Sequence, residues 1–319
     1  MEGGPLRVLV ALGGNALLRP DEPVTAEIQR RNAEKAAGVV AEIAREHAVV
    51  VTHGNGPQIG LLAGRTAGRG GSSEEASGDS PSAEEEPLDA LGAETEGLIG
   101  YLLTQALRNE APEREIVSLL TQVEVDRDDP GFDDPTKPIG PVLDEEAARS
   151  LPQGGEWRFV RDRGGLRRVV ASPEPRSILE LATIDRLVAA RVLVVCAGGG
   201  GIPVFRTPEG RLEGAEAVID KDSTSALLAA SLGCDRLLLL TDVEGVYRDW
   251  PARATPISEA TPEALRALSL DSGSMGPKVE AACRFVEARG GQAAIGRLEE
   301  GASVLRGECG TRVRPPAET

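Results

Sequence analysis

Short apolar runs rich in β-branched residues alternate along this chain with longer segments of helical periodicity. The clearest runs are residues 7–12 (RVLVAL), 48–52 (AVVVT), 192–196 (VLVVC) and 237–241 (LLLLT). Strands that alternate with covering helices are typical of parallel sheets. The pattern therefore predicts an α/β fold with an open, mainly parallel central sheet sandwiched by helices. Further strand candidates are residues 116–120 and, more weakly, 292–295 and 311–313.

The segments between these runs carry the predicted helices. Residues 25–46 show helical spacing of apolar side chains, and Thr25 can serve as the N-cap. The other predicted helices are residues 94–108, 177–190, 222–231, 262–268 and 277–289. A length of 319 residues suits one large α/β domain or two smaller ones. We predict a single domain over residues 1–319.

Two stretches interrupt the alternation. Residues 64–87 are rich in Gly, Ser and Glu and almost free of apolar residues, so they cannot offset their ordering entropy. We predict a flexible surface loop there. Residues 126–175 are rich in Pro, Gly and charge, but contain Trp157, Phe159 and the strand-like run 167–170 (RRVV). We predict that this segment is a small inserted, protruding subdomain that acts as a lid.

Composition excludes several classes of function. The net charge of −16 and the scarcity of aromatic residues argue against a nucleic-acid partner. The chain shows neither an apolar run of membrane-spanning length nor a signal-peptide pattern, so we expect a cytoplasmic protein with no membrane partner. Two histidines, His47 and His53, are too few for a multi-histidine metal site. The cysteines form no CxxC pair and are expected to be reduced: Cys196, Cys234, Cys283 and Cys309.

Lysine is rare and unusually placed. The chain has four lysines among 35 basic residues, and Lys137, Lys221 and Lys278 stand beside Gly, Pro or Asp. Lys35 instead lies in a run with helical spacing and is expected on a solvated face. A compact, rotatable ammonium group suits the oxygens that gain charge during phosphoryl transfer. The alternative is chance in a chain biased towards arginine.

Four glycine-rich turns follow predicted strands. They are residues 13–16 (GGNA), 54–57 (GNGP), 198–201 (GGGG) and 273–276 (GSMG). Ligands bind where the carboxyl ends of parallel strands meet, and glycine lets backbone N–H groups approach a phosphate. Tight turns need glycine in any case, but four turns near three lysines indicate a phosphate site. The standard nucleotide fingerprints are absent, so dispersed parts must hold the phosphates.

Two further segments are candidates for the site. In Asp220-Lys221-Asp222 a lysine stands between carboxylates that could aim the ammonium groups or reach a Mg²⁺ shell. A solvated charge cluster is the alternative. Residues 241–247 (TDVEGVY) end an apolar strand and suit a nucleoside pocket with Tyr247 as a wall. Core packing or a plain turn explains them equally well.

In this order the motifs resemble those of the carbamate kinases, within the amino-acid kinase family, over almost the whole chain. Residues 11–17 and 52–58 look like the family's phosphate-facing turns. The most specific match runs from 121–126 through 129–132 (DPGF) to 135–141 (PTKPIGP). That run separates carbamate kinases from acetylglutamate, uridylate and aspartate kinases. The resemblance is completed by residues 88–97, 167–173, 198–203, 219–222 and 273–281.

The resemblance implies a reaction, ATP plus carbamate giving ADP and carbamoyl phosphate reversibly, with Mg²⁺ and in a homodimer. It implies that Lys137 contacts carbamoyl phosphate, that Lys221 and Lys278 bind phosphates, and that Asp222 orients those lysines. The implied phosphate cradle is Gly13, Gly14, Asn15, Gly54 and Asn55. The implied nucleotide site is Gly199, Gly200, Lys221, Thr241, Asp242, Tyr247, Met275, Gly276 and Lys278. Mg²⁺ is expected to bind mainly through the nucleotide phosphates, with no protein metal site.

The sequence departs from the family at several positions, and two other functions are possible alternatives. Leu166, Ala171 and Glu174 stand where the family often has Trp, Pro and Lys. Rival functions are a related kinase that phosphorylates a carboxylate or phosphate group and a nucleotide-binding sensor without turnover. The 135–141 motif argues against the first, and the three retained lysines argue against the second. Because Lys137 lies in the insertion, we expect subdomain motion to carry it to the phosphates.

Overall fold

The structure is a computed structural model that describes part of the chain. The described residues are 4–14, 22–23, 25–56, 59, 62, 86–150, 157–162, 164–249, 252, 255–268 and 275–316, without the side chains of 149–150. The predicted flexible loop, residues 64–87, therefore lies outside the described residues except for its last two positions.

Fifteen strands occur within the described ranges. They are β1 (Arg7–Leu12), β2 (Ala48–His53), β3 (Ile116–Ser118), β4 (Gln122–Val125), β5 (Lys137–Leu143), β6 (Arg158–Asp162), β7 (Gly165–Val170), β8 (Pro175–Ile178), β9 (Leu193–Val195), β10 (Ile202–Arg206), β11 (Leu212–Gly214), β12 (Arg236–Thr241), β13 (Glu259–Ala260), β14 (Gln292–Arg297) and β15 (Thr311–Val313). All seven strands predicted from the sequence are among them.

The α-helices of the described chain lie between these strands. They are α1 (Ala26–Ala44), α2 (Leu88–Glu110), α3 (Glu145–Ser150), α4 (Leu181–Ala189), α5 (Lys221–Ser231), α6 (Pro262–Arg266), α7 (Met275–Arg289) and α8 (Gly301–Arg306). Thr25 caps α1, because its side chain accepts a hydrogen bond from the backbone N–H of Ile28. No helix in the part of the chain described here is both long and apolar enough to cross a membrane.

Among the described residues, the central sheet has eight strands in the order β13-β15-β14-β12-β1-β2-β9-β3. Every neighbouring pair is parallel except β14 with β15. Alternate residues of β1 point to opposite faces, so Leu9 and Ala11 lie in one buried cluster while Val8, Val10 and Leu12 lie in another. Because helices cover both faces, the strands read as continuous apolar runs. The predicted fold class is confirmed.

Two smaller sheets accompany the central one. Strands β5, β7 and β6 pair antiparallel in that order, within the predicted insertion, and we call them the lid sheet. The boundaries 126–175 proposed for the insertion stay a prediction. Strands β11, β10, β4 and β8 form the other sheet.

Two helix starts predicted from the sequence are wrong. Helix α2 begins at Leu88, six residues before the predicted start at Glu94, because Leu88 and Leu91 are already buried in the core. Residues 177–178, the start of the predicted helix 177–190, belong to β8, and helix α4 begins only at Leu181. The reason is a long-range pairing: β8 runs antiparallel to β4, with Ile178 opposite Val123, and both side chains are buried in the core. Tertiary pairing of this kind overrides local periodicity.

Candidate active site

The glycine turns after β1 and β2 meet at one edge of the central sheet. Strands β12, β1, β2 and β9 are parallel neighbours, so their carboxyl ends lie together. Gly13 N–H donates to the Leu240 carbonyl over 2.9 Å, and Gly54 N–H donates to the Leu12 carbonyl over 3.0 Å. A Cβ on Gly54 would lie 2.9 Å from the backbone N of Gly14. Glycine is needed there because the two turns touch through their backbones. The predicted cradle residue Asn15 lies outside the described residues.

The turn after β9 joins the same edge. Residues Gly198–Gly200 form a 3₁₀ turn in which Gly199 has φ of 68°. A side chain at position 199 would overlap the side chain of Asn55, which is buried. The Oδ1 atom of Asn55 makes no hydrogen bond to any described residue. The structure therefore places Gly199 and Asn55 in contact beside the turn at Gly54, with a buried amide oxygen left without a partner in the described part.

Helix α5 presents charged residues at its first turn. Asp220 is the N-cap, and its Oδ1 accepts hydrogen bonds from the backbone N–H groups of Asp222, over 2.9 Å, and Ser223, over 3.1 Å. Thr224 Oγ1 donates to the Gly200 carbonyl over 2.8 Å, which ties the helix to the glycine turn. Lys221 and Asp222 follow the cap and are 7% and 4% exposed. The helix starts one residue before the predicted start at residue 222.

Three lysines and two aspartates meet here, and we call Lys137, Asp220, Lys221, Asp222 and Lys278 the lysine–aspartate cluster. Asp222 bridges two helices, because its Oδ1 lies 2.5 Å from Lys221 Nζ and its Oδ2 lies 3.1 Å from Lys278 Nζ on α7. The ammonium group of Lys137, the first residue of β5, contacts Asp220 Oδ2. The sequence therefore singled out three lysines that the fold brings together.

The structure shows Lys137 at the lysine–aspartate cluster in the conformation described. Its ammonium group forms an ion pair with Asp220, so the first residue of β5 lies near the N-terminus of α5. Motion of the insertion that carries Lys137 towards the phosphates stays a prediction.

Burial and charge act in opposite directions on the groups of this cluster. Burial alone would raise the pKa of Asp222, but Lys221 and Lys278 hold it well below its ordinary value. Burial would likewise raise the pKa of Asp220, and the charge of Lys137 lowers it. Burial lowers the pKa of Lys221, whereas Asp222 outweighs burial at Lys278 and raises the pKa of that lysine. Both carboxylates and the Lys278 ammonium are thus charged at neutral pH.

The ammonium group of Lys221 keeps hydrogen-bonding capacity for a ligand. Although Lys221 Nζ and Asp222 Oδ1 are in ionic contact, neither atom makes a hydrogen bond of regular geometry to a described residue. An ammonium group carries three donors, and a buried donor without an acceptor is costly. The phosphate oxygens of a substrate are acceptors of the right chemistry for this position.

The chain is similar to known proteins over nearly its full length. The sequence profile of the amino acid kinase family matches residues 6–296. The chain belongs to the amino acid kinase family. A carbamate kinase of Rhizobium meliloti (strain 1021) is 52% identical over 311 residues, which are 96% of this chain and 92% of that protein.

Two solved structures of a family member are also similar to this chain. The carbamate kinase of Giardia lamblia bound to citric acid superposes with a TM-score of 0.88 at 37% identity. The same enzyme bound to AMP-PNP superposes with a TM-score of 0.85 at 36% identity. Each comparison covers 99% of this chain and 100% of the other.

Asp242, Met275 and Gly276, which are predicted for the nucleotide, lie near Lys278 of the cluster. Thr241 ends β12, is buried, and donates through Oγ1 to Asp242 Oδ1 over 3.0 Å. The charge of Asp242 contributes to the raised pKa of Lys278. Met275 and Gly276 begin α7, the helix that carries Lys278. Tyr247 pairs with Pro256, and its hydroxyl donates to Glu244 over 3.0 Å.

Glu96 is a functional candidate that the sequence reasoning missed. This α2 residue is 1% exposed, and its carboxyl oxygens accept the backbone N–H groups of Gly198, over 2.8 Å, and Thr121, over 3.2 Å. Burial raises its pKa to about 8, against the opposing effect of those hydrogen bonds. The sequence did contain an indication of its burial, because Glu96 has helical spacing to Ile99 and Leu103 and lies on the same buried face of α2.

His53, the last residue of β2, is fully buried beside the same turn. A Cβ on Gly198 would overlap the His53 ring and would lie 2.8 Å from Glu96 Cγ. Burial lowers the pKa of His53 to about 4, with the Gly54 carbonyl opposing and the charge of Lys221 adding to the effect. The imidazole is therefore neutral at pH 7.

The raised pKa of Glu96 predicts a pH-dependent stability. Above its ordinary value of 4.5 and up to about 8, the unfolded chain binds fewer protons at this position than the folded chain. Stability therefore falls as pH rises through this window, by at most about 1.4 kcal/mol per pH unit. The pKa of His53 is lower in the folded chain than its ordinary value of 6.5, so His53 makes stability rise with pH, but only below pH 6.5. Urea denaturation between pH 6.5 and 8.5 measures the Glu96 effect.

Glu96→Gln is the matched comparison. Its amide presents a donor to one backbone N–H, so the variant is expected to be less stable overall. Because it does not ionise, its stability should depend less steeply on pH than that of the wild type. Parallel stability curves for the two proteins would contradict the assignment of this pH dependence to Glu96.

Proposed function

We propose that this chain is a carbamate kinase, which transfers a phosphoryl group reversibly between ATP and carbamate. The observation that carries the proposal is the convergence of Lys137, Lys221 and Lys278 on two aspartates at the carboxyl edge of a parallel sheet. Phosphoryl transfer depends mainly on positioning and on neutralising charge on the phosphate oxygens, which buried ammonium groups do. Carbamate kinases that match this chain over nearly its full length support the choice of substrate.

The reaction needs charge neutralisation but no general base. In the ATP-forming direction, a β-phosphate oxygen of ADP attacks the phosphorus of carbamoyl phosphate. The bond between phosphorus and the carbamate oxygen breaks, and carbamate leaves as an anion with the bonding electrons. No proton has to be moved, which agrees with a His53 that is buried and neutral. We assign the neutralisation of the transferring group to Lys221 and Lys278, held apart by Asp222.

The substrates occupy different parts of the sheet edge in this proposal. Lys137 contacts carbamoyl phosphate. The backbone N–H groups of Gly13, Gly14 and Gly54, with the amide NH₂ groups of Asn15 and Asn55, cradle its phosphate group. The nucleotide lies towards Gly199, Gly200, Thr241, Asp242, Tyr247, Met275 and Gly276. A relative solved with AMP-PNP supports a nucleotide site in this fold.

We propose that Mg²⁺ arrives with the nucleotide. Among the described residues there is no group of three His, Cys, Asp or Glu side chains that could hold a metal ion. Asp220 and Asp222, the carboxylates of the lysine–aspartate cluster, are both engaged by lysines. Mg²⁺ commonly keeps water and phosphate oxygens as ligands, so these residues fit an ion held mainly by the nucleotide. Once bound, the ion would neutralise charge between adjacent phosphates.

We also propose that the enzyme is a cytoplasmic homodimer. Leu98 and Tyr101 on α2 are 46% and 52% exposed, and Leu120, just after the edge strand β3, is 55% exposed. Exposed apolar side chains beside a sheet edge that no other described strand pairs with favour association with a second copy. Light scattering compares the particle mass with 33.4 kDa per chain. The four free cysteines suit a reducing compartment.

A coupled assay tests the proposed activity. The enzyme is mixed with Mg·ADP and carbamoyl phosphate, and ATP formation is followed against an enzyme-free control for spontaneous decomposition. We expect rapid ATP formation with carbamoyl phosphate and little with acetyl phosphate. Preferential use of another acyl phosphate would favour the related-kinase alternative, and nucleotide binding without turnover would favour the sensor.

The acidic segment 72–86 is expected to be dispensable for catalysis. Its composition is that of a disordered spacer, although all but its last residue lies outside the described residues. Replacing it with a brief Gly/Ser link should leave kcat/KM within about threefold of wild type, since loop length has little thermodynamic cost. The coupled assay measures the rate, and circular dichroism checks the fold. Loss of activity in a folded variant would show that the loop closes on the substrate.

A further inference from the structure

The side chain of Asp220 serves two parts of the molecule at once. Its Oδ1 caps α5 by accepting the backbone N–H groups of Asp222 and Ser223. Its Oδ2 accepts from the ammonium group of Lys137, which begins the first strand of the lid sheet. The two residues are 83 positions apart in sequence. Asp220 therefore joins the N-terminus of α5 to the lid sheet.

Other contacts attach the lid sheet to the body of the protein without directing the lysine. Ile139 and Val170 of the lid sheet share a buried cluster with Leu88, Leu91 and Val218. Val218 N–H donates to the Ala171 carbonyl over 2.9 Å. These apolar and backbone contacts anchor the sheet but do not decide where the end of a flexible four-carbon side chain lies. The ion pair of Lys137 with Asp220 adds a further attachment at the start of β5.

Charge makes the direction of Lys137 dependent on Asp220. The lysine–aspartate cluster contains three ammonium groups and two carboxylates, and Asp222 is already shared by Lys221 and Lys278. Without the carboxylate of Asp220, the ammonium group of Lys137 would lose its counter-ion, and the excess positive charge of the cluster would increase. Lys137 would then turn towards solvent, where water compensates its charge. The Lys137 side chain is 29% exposed, so it has room to turn towards solvent.

We propose that Asp220 is a positioning residue that holds the Lys137 ammonium group at the N-terminus of α5, where we place carbamoyl phosphate. The inference rests on the proposed function and extends it to a residue outside the substrate contacts assigned above. Asp220 acts through Lys137, and its effect on turnover should depend on that lysine being present. Its capping role is separate, because a different oxygen performs it.

The substitution Asp220→Asn separates the two roles. The amide oxygen of Asn can still cap the helix, whereas the NH₂ group cannot accept from an ammonium group. Asp220→Ser also keeps a capping oxygen and removes the partner of Lys137. Asp162→Asn is the matched control, because it breaks the 3.2 Å ion pair of Asp162 with Arg167 inside the lid sheet. Asp162 lies on β6, the strand of that sheet farthest from β5.

The kinetic test is a double-mutant cycle with Lys137→Ala. We expect D220N and D220S to lower kcat/KM for carbamoyl phosphate by about 10-fold or more, since misplacing a catalytic group is costly. The KM for Mg·ADP should stay within about threefold, and D162N should match wild type. In the Lys137→Ala background, D220N should not lower kcat/KM, because no ammonium group is left to position and the freed carboxylate no longer repels the substrate. An equal loss in both backgrounds, or no loss in either, would overturn the proposal.

Amide hydrogen exchange gives a readout that does not require activity. Exchange in residues 137–143 should accelerate in D220N and in Lys137→Ala by similar factors, while D162N leaves the start of β5 unchanged. A wild-type protein without carbamoyl phosphate activity would defeat the proposed function, yet the exchange data would still show whether Asp220 holds Lys137. Exchange at β5 that is unchanged in D220N would overturn the positioning role itself.

Discussion

Replacing Lys221 or Lys278 with alanine is expected to lower kcat by about 100-fold or more, which is the usual effect of removing a donor that stabilises a transition state. Both ammonium groups are buried at the sheet edge and lie 2.5 and 3.1 Å from the carboxylate of Asp222. In this environment a positive charge is poorly screened by water and acts strongly on phosphate oxygens. The coupled assay at saturating substrates measures kcat.

Arginine should rescue either position poorly. Its planar guanidinium places charge differently from a compact ammonium group, and the space around Asp222 is already filled by two lysines. The matched control is Lys35→Ala, because Lys35 is an exposed residue of α1. That variant should keep wild-type turnover.

Folding must be checked, because each alanine variant leaves Asp222 with one lysine instead of two. Breaking part of a buried ionic network is destabilising, so thermal denaturation accompanies the kinetics. A folded variant that kept most of the wild-type kcat would remove that lysine from the mechanism.

Lys137→Ala is expected to impair the use of carbamoyl phosphate while sparing the binding of ADP. The lysine approaches the lysine–aspartate cluster from the lid sheet, whereas Lys221 and Lys278 belong to α5 and α7. Calorimetry with Mg·ADP should show a Kd within about threefold of wild type, and kcat/KM for carbamoyl phosphate should fall by about 100-fold.

The ion pair of Lys137 with Asp220 sharpens this second prediction. Removing the lysine frees a carboxylate beside the phosphate site, and its negative charge would repel an incoming phosphate group. The double variant Lys137→Ala with Asp220→Asn serves as the control for that repulsion. Loss of ADP binding in both Lys137→Ala and the double variant would assign Lys137 to the nucleotide site and contradict its proposed role at carbamoyl phosphate.

The sequence alone determined the parts of this protein that depend on local pattern. Strand β1 was predicted with its observed bounds, because residues buried on both faces of a sheet form a continuous apolar run. The N-cap at Thr25 was predicted because the cap is a contact between near neighbours. The scarcity of lysine singled out Lys137, Lys221 and Lys278, since a residue type that the surface does not need stands out.

Only the tertiary structure decided the features that depend on long-range pairing. Residues 177–178 belong to strand β8 and not to the predicted helix, because they pair with β4. Since β4 lies far away in sequence, the local pattern could not show this pairing. The buried carboxylate of Glu96 bonds to Gly198, 102 positions later, and the ion pair of Lys137 with Asp220 joins an inserted sheet to a helix cap. Local periodicity reports which face of an element is apolar, but not which element will cover it. The partners of buried charges are therefore chosen by the packing of the whole chain.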